Sequence, residues 1–227
     1  MMKPKSSRLT VAILAVAALI VAAGGTAVAS NMAFKLNKAI VFSGTGQIGN
    51  NWTSLPFNNP YTNGQSLCDQ LGLVGNASLS VLDGTTGTFT SGICGSTAVG
   101  VPITAGQGVL IRQPADAGAP SSVIIVGSHN PTLSLSIPAV VPGGGPNQGN
   151  LWFAVPYHTT AVTAEDLCNS TGMTPLVGSI TRLDAAAGNF VSCVCGATCP
   201  GVNLVLGEHV QLRNGDAGLA NIGIAHF

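Results

Sequence analysis

The sequence predicts a mainly β protein built from two tandem homologous units, each a β-sandwich or barrel-like body with one short helix. Three observations carry this. Motifs recur at an offset of about 100 residues; the apolar runs are short, β-branched and bounded by Gly, Pro, Asn or Asp; and 46% hydrophobic residues with 30 Gly stand beside only 7% charged residues. Ordinary soluble domains carry about 25% charge, so this composition excludes a charged disordered chain. Lys+Arg and Asp+Glu number 8 each, leaving no basic excess with which to neutralise a polyanion such as nucleic acid.

Taken in order, the amino terminus reads as a secretory signal. Lys3, Lys5 and Arg8 precede an apolar run over 9–23, and Gly24-Gly25-Thr26 leads into Ala27-Val28-Ala29, an A-x-A cleavage site. The competing reading, an uncleaved anchor, meets a run short for a hydrocarbon core of about 30 Å. Cleavage makes residues 1–29 the signal peptide and Ser30 the mature start, with unit one at 31–130 and unit two at 131–227. Without a Cys behind the apolar run, lipidation is not expected. The mature chain keeps five basic and eight acidic residues, a formal charge of −3.

The duplication sets the register. Asn51-Trp52-Thr53-Ser54-Leu55-Pro56 returns as Leu151-Trp152-Phe153-Ala154-Val155-Pro156, and Leu67-Cys68 as Leu167-Cys168. Val81-Leu82-Asp83 matches Arg182-Leu183-Asp184, Cys94-Gly95 matches Cys195-Gly196, and Val109 to Arg112 matches Val210 to Arg213. Strands are expected over 78–82, 88–91, 108–112, 122–126 and 132–137. Asp83 to Gly87 and Asp184 to Gly188 read as hairpin turns, in which Asp supplies a local acceptor and Gly a positive φ. A helix is expected over 63–71, and its counterpart starts at the capping hydroxyl of Thr163, with Glu165 and Asp166 near its positive end.

All six cysteines fall after the signal. An even number in an exported chain reads as disulfides. The repeat register predicts Cys68–Cys94 and Cys168–Cys195, with Cys193–Cys199 an additional clamp in unit two; Cys193 and Cys195 alternate onto one strand face, so either can serve. Metal binding by the 193–199 cluster is disfavoured, because it lacks the paired CxxC spacing of a zinc ribbon and the CxxCH of covalent haem.

The order W-x-x-[LV]-P, short helix, V-x-x-L-D-x-x-x-G-x-F hairpin and Gly-initiated strand resembles a repeat of secreted and surface proteins of bacteria and archaea. Those modules read GWN-x-[IV]-[SG]-[LV]-P early and PG-x-GYW-[IV] late. Asn51-Trp52 to Pro56 and Leu151-Trp152 to Pro156 carry the first motif; residues 105–111 and 206–212 stand in place of the second and lack its aromatic pair. The resemblance implies a compact, mostly β extracellular module, usually without an assigned activity.

No catalytic pattern competes with this reading. GxSxG, HExxH and a phosphate loop are all missing, and Asp83/Asp184, Arg112/Arg213 and Asp116/Asp216 recur in both units, as turn or ion-pair devices would. No cofactor and no metal are expected. One titratable group, His158 with His209 and Glu208 or Asp166, offers a conceivable metal site and hence a metal-dependent hydrolase. Trp52 and Trp152 are expected to pack in cores rather than to form exposed glycan platforms. Asn51, Asn76 and Asn169 head glycosylation sequons.

With a surface of Ser, Thr, Asn, Gln and Gly, charge repulsion opposes association only weakly. The expected function is therefore that of a secreted, disulfide-stabilised structural or adhesive protein at the cell surface, in the extracellular space or in the periplasm. It is expected to pair with itself or with a cell-surface component, without nucleic acid and without a membrane span once the signal is gone. A soluble glycan- or ligand-binding module is the alternative. Terminal strands often present open edges, which nominates Phe34, Leu36 and Ile40 in the first and Ile222, Ile224 and Phe227 in the last.

Overall fold

The computed structural model describes residues 33–128, 130, 134–143, 145–155, 159–205, 207–215 and 217–223. Twelve strands and two α-helices are formed among them. The first half runs β1 (Ala33–Ala39), β2 (Asn50–Ser54), α1 (Gly64–Leu71), β3 (Ser78–Asp83), β4 (Thr88–Ile93), β5 (Gly108–Arg112) and β6 (Ser122–Ser128). The second half repeats this order as β7 (Ser134–Ile137), β8 (Asn150–Ala154), α2 (Ala164–Thr171), β9 (Ser179–Asp184), β10 (Asn189–Val194), β11 (His209–Arg213) and β12 (Leu219–Gly223). Each half forms one four-stranded antiparallel sheet, in order β2-β5-β3-β4 or β8-β11-β9-β10, and one two-stranded sheet, β1-β6 or β7-β12. The protein is mainly β.

Local chemistry explains the helices. At α1 the Ser66 N–H donates to Asn63 Oδ1 at 2.9 Å and the Asn63 N–H donates back to Ser66 Oγ at 3.1 Å, a closed capping box. Thr163 and Asp166 form the same box at α2. Both helices stop at a glycine in the left-handed region, Gly72 at φ 65° and Gly172 at φ 71°, where a Cβ would be strained. Each helix buries one stripe: Leu67, Cys68 and Leu71 in α1, and Leu167, Cys168 and Thr171 in α2. A fully buried leucine such as Leu67 contributes about 2 kcal/mol.

Three disulfides staple these layers. Cys68–Cys94 and Cys168–Cys195 tie each helix to the end of its hairpin, with Cα separations of 5.7 and 5.8 Å, and Cys193–Cys199 closes a short loop in the second half at 4.9 Å. In the first half Gly92 and Ala98 hold the positions of that third pair, and a Cβ on Gly92 would lie 2.6 Å from the Ala98 Cα. The backbones there approach each other directly. Where the second half uses a sulfur bridge, the first uses an absent side chain.

The hairpin turns behave as their sequence implies. Asp83 Oδ1 accepts from the Thr85 N–H at 2.9 Å, and Asp184 Oδ1 from the N–H groups of Ala186 and Ala187, each at 3.0 Å. The Thr86 hydroxyl, which donates to Asp83 Oδ2 at 2.9 Å, together with the Thr85 and Thr86 N–H groups holds the Asp83 carboxyl below the usual carboxylate range. Of the repeated charges, Asp83 and Asp184 are thus turn devices. Ion pairing falls instead on a pair with no repeat counterpart, Arg182 Nε to Glu208 Oε1 at 3.5 Å, the one salt bridge among the described residues.

The two halves are not independent bodies, since the described residues from Ala33 onward form one compact unit. Each repeat has its own core, centred on Leu55, Leu79, Ile111 and Ile125 in the first and on Val155, Ile180, Leu212 and Ile137 in the second, which also takes in Phe57 from the first. A third cluster, of Trp52, Leu82 and Trp152, belongs to neither alone. Matching backbone bonds cross the junction: the Gly49 N–H donates to the Ala185 carbonyl at 3.1 Å, and the Gly149 N–H to the Gly84 carbonyl at 2.9 Å. Gly84 and Ala185 hold the same position in their repeats, as do Gly49 and Gly149, so the junction is pseudo-two-fold.

Candidate functional site

Period-two alternation divides each four-stranded sheet into two faces. On one face Asn51, Thr53, Val109, Ile111, Leu79 and Val81 are buried. The other carries the ladder row Trp52–Leu110–Ser80–Ser91 in the first sheet and Trp152–Gln211–Thr181–Ser192 in the second. These second faces meet at the junction, which is why all five residues of β2 are buried and its alternation is lost.

At the junction the rings interlock. Trp52 and Trp152 lie 5.3 Å apart between centroids, and each contacts the phenylalanine of the opposite repeat: Trp52 with Phe190 at 5.6 Å and Trp152 with Phe89 at 5.3 Å. The interplanar angles of 48° to 59° are the tilted arrangements that aromatic quadrupoles favour. The tryptophans are core, at 6% and 4% exposure, while Phe89 and Phe190 remain 48% and 51% exposed. The result is a continuous row Phe89–Trp152–Trp52–Phe190 with a buried middle and open ends.

A cleft of about 490 Å³ opens over this row. Its aromatic residues are joined by Leu110 and by the side chains of Gln47, Asn50, Asn147, Gln211, Thr181 and Ser192. Apart from the indole N–H groups of the two tryptophans, every polar side-chain group is an amide or a hydroxyl, so the lining contains no ionisable group. Asn50 is 6% exposed and its Oδ1 has no hydrogen-bond partner among the described residues, while its amide N–H donates to Gln47 Oε1. The Trp152 Nε1–H donates to Gln211 Oε1 at 3.1 Å. Thr181 and Ser192 share a hydroxyl bond at 2.8 Å.

The junction departs from symmetry where its centre is tightest. His209 occupies the position that Gly108 holds in the first repeat, and its ring lies where a Gly108 side chain would be: a Cβ there would come within 2.0 Å of His209 Cε1. The imidazole packs between the tryptophans, 4.5 Å from Trp52 and 5.1 Å from Trp152. Nδ1 lies 3.1 Å from the Thr53 carbonyl, which can only accept, so Nδ1 carries the proton and Nε2 is left without a partner among the described residues. Burial pushes the ring's pKa down to about 3, with Lys38 adding to the depression and the Thr53 bond opposing it.

Among the described residues, His209, Glu208 and Asp166 of the metal grouping conceived from sequence do not form a shared metal-ligand cluster. His209 is enclosed at the junction, Glu208 is engaged by Arg182 and by the Val205 N–H at 3.0 Å, and Asp166 caps its own helix. His158 lies outside the described residues. The sulfurs of Cys168, Cys195 and Cys199 gather within 4.8 Å, but all are committed to disulfides. Of the nominated edge residues, Ile40 is buried and Leu36 packs against the first core, so both side chains turn inward, and β1 pairs with β6 along its whole length. In the last strand Ile222 pairs with Leu135. The side chain of Phe34, and Ile224 and Phe227 entirely, lie outside the described residues. β1 and β12 each pair on one side only, in two-stranded sheets, and so are terminal strands, as are β4 and β10 on one side and β2 and β8 on the other side of the four-stranded sheets.

Sequence reasoning also missed the work of Asn51. Its amide donates to the carbonyls of Val41 at 2.9 Å, Gly49 at 2.9 Å and Ile111 at 3.2 Å, and its Oδ1 accepts from the Val41 N–H at 2.8 Å. A nitrogen so engaged and fully buried cannot accept a glycan; Asn76 and Asn169 are exposed. No described helix is long and apolar enough to cross a membrane. Comparison with protein-family models, with curated proteins and with solved structures gives no match for this chain.

Proposed function

We propose that the chain is an exported, disulfide-stapled adhesive module that acts by binding rather than by catalysis, with the inter-repeat cleft as its recognition surface. The observation that carries this is the half-exposed Phe89 and Phe190 at the two ends of a buried tryptophan pair, around a cleft lined by apolar, amide and hydroxyl groups. Binding sites combine apolar area with a few oriented polar groups in this way. Export is supported by the signal-like amino terminus and by three disulfides, which persist in oxidising compartments.

The test is retention of the purified mature protein on cell-envelope material from its source. Replacing Phe89 and Phe190 together by Ala is expected to lower retention about tenfold or more, the effect of losing about 1.4 kcal/mol of binding. Ile124→Ala, at an exposed position of β6, serves as the control. Equal retention of wild type and the double variant overturns the assignment of the cleft.

A second reading, self-association, has its own observation. β4 and β10 are terminal strands, neither contains a charged residue, and they expose Phe89 and Ile93, and Phe190, Val191 and Val194, respectively. Uncharged edges with exposed apolar side chains favour strand addition.

A further inference from the structure

Resting on the cleft as a recognition surface, we infer that its ligand is a neutral, hydroxyl-rich ring compound: a pyranose unit of an uncharged oligosaccharide, held in one orientation by a polar wall that only the second repeat supplies. The chemistry of the lining selects this class. Amides and hydroxyls both donate and accept, as vicinal sugar hydroxyls do, and the half-exposed rings of Phe89 and Phe190 offer apolar faces to the C–H face of a pyranose ring. An anionic or cationic ligand finds no ionisable group in the lining with which to pair. A purely apolar ligand would take the amides and hydroxyls out of water with nothing to bond them.

The orientation follows from a departure from the pseudo-two-fold. Leu110 and Gln211 hold equivalent positions, each beside the tryptophan of its own sheet, so one wall is apolar where the other carries an amide. Gln211 Oε1 is held by the Trp152 Nε1–H, which fixes the amide and leaves its NH₂ group to donate to a ligand. Thr181 and Ser192 extend that wall across the sheet, whereas their counterparts Ser80 and Ser91 are not part of the lining. A ligand with an apolar face and a hydroxyl edge is bound better one way round than the other.

The chain's 2 tryptophans are Trp52 and Trp152, both at the cleft, so tryptophan emission, excited where tyrosine does not absorb, reports this site alone. The mature protein is titrated with neutral gluco-, manno- and N-acetylglucosamine oligosaccharides up to about 10 mM, well above the micromolar-to-millimolar range that separates specific from negligible affinity. A saturable emission change with at least one series is expected, and a polyuronic acid should not compete. Gln211→Leu and, more gently, Ser192→Ala should weaken that binding, the former about tenfold or more. Ser80→Ala should bind as wild type. Ser192→Ala keeps the test informative if Gln211→Leu unfolds. Absence of any response to the neutral series, equal competition by the polyuronic acid, or wild-type affinity in either Ser192→Ala or a folded Gln211→Leu each overturns the inference. Retention on envelope material without a fluorescence response overturns the glycan while leaving the recognition surface standing; failure of both removes both.

Discussion

His209 shows how one side chain can set the terms of a whole interface. The ring fills space that Gly108 leaves open, so histidine at both equivalent positions would put two imidazoles into the volume of one. Its pH behaviour follows from the burial. The unfolded group titrates near 6.5 and the folded one at about 3, so the folded state prefers the neutral ring. This contribution to stability is fully present above about pH 6.5 and is lost as pH falls toward 3, at up to about 1.4 kcal/mol per pH unit. Urea unfolding of the oxidised protein should therefore show about 2–3 kcal/mol less stability at pH 4.5 than at pH 7 from this group alone. His209→Gln, which keeps an N–H for the Thr53 carbonyl, should flatten that difference; an unchanged pH profile in the variant would show that another group is responsible.

At the scale of elements, the disulfides form a graded series. Cys68–Cys94 and Cys168–Cys195 span separations of 26 and 27 residues, against 6 for Cys193–Cys199. Loop-closure entropy then assigns about 3.5 kcal/mol to each of the long bridges and about 2 kcal/mol to the short one. The first repeat shows how its equivalent segment closes without sulfur, using Gly92 against Ala98. Replacing Cys193 by Gly and Cys199 by Ala should accordingly give a folded protein that loses only about 2 kcal/mol, while replacing Cys168 and Cys195 by Ser should cost more. Denaturant midpoints of the two double variants give the ranking; the reverse order would remove the account based on loop length. The capping boxes and αL glycines act at the same scale, fixing where each cysteine-bearing helix starts and stops.

For the whole molecule, the question is what covers β4 and β10. Both are terminal strands without charge, and Ile93 and Val194 are exposed at their ends, away from the cleft lining. If the edges drive assembly, light scattering on eluting mature protein should show multimers that the pair Ile93→Lys and Val194→Lys converts to monomer, because a buried ammonium opposes strand addition. Glycan binding at the cleft should survive that change. A wild-type monomer at every concentration would remove self-association and leave recognition at the cleft as the working reading. Pairing of the repeats through Trp52 and Trp152 also means that neither half buries its second sheet face alone.

Much of this protein is written locally. Asp83 and Asp184 hold their hairpins through neighbours two or three residues away, Thr163 caps its helix three residues on, and the repeat register aligns each helix cysteine with its hairpin partner; such short-range bonds depend on little beyond the segment itself. The mainly β class follows from the same short runs. What only the tertiary structure decided is the meeting of the two second faces. His209 rests on Gly108 across 101 positions, Asn51 bonds Ile111 sixty residues away, and Phe89 touches Trp152 in the other repeat. Hydrophobic periodicity says that a strand has a buried face but not which surface covers it, because burial is non-directional and any apolar partner satisfies it. The cleft exists because pseudo-two-fold packing chose the partner, and its polarity because the two copies differ at that contact.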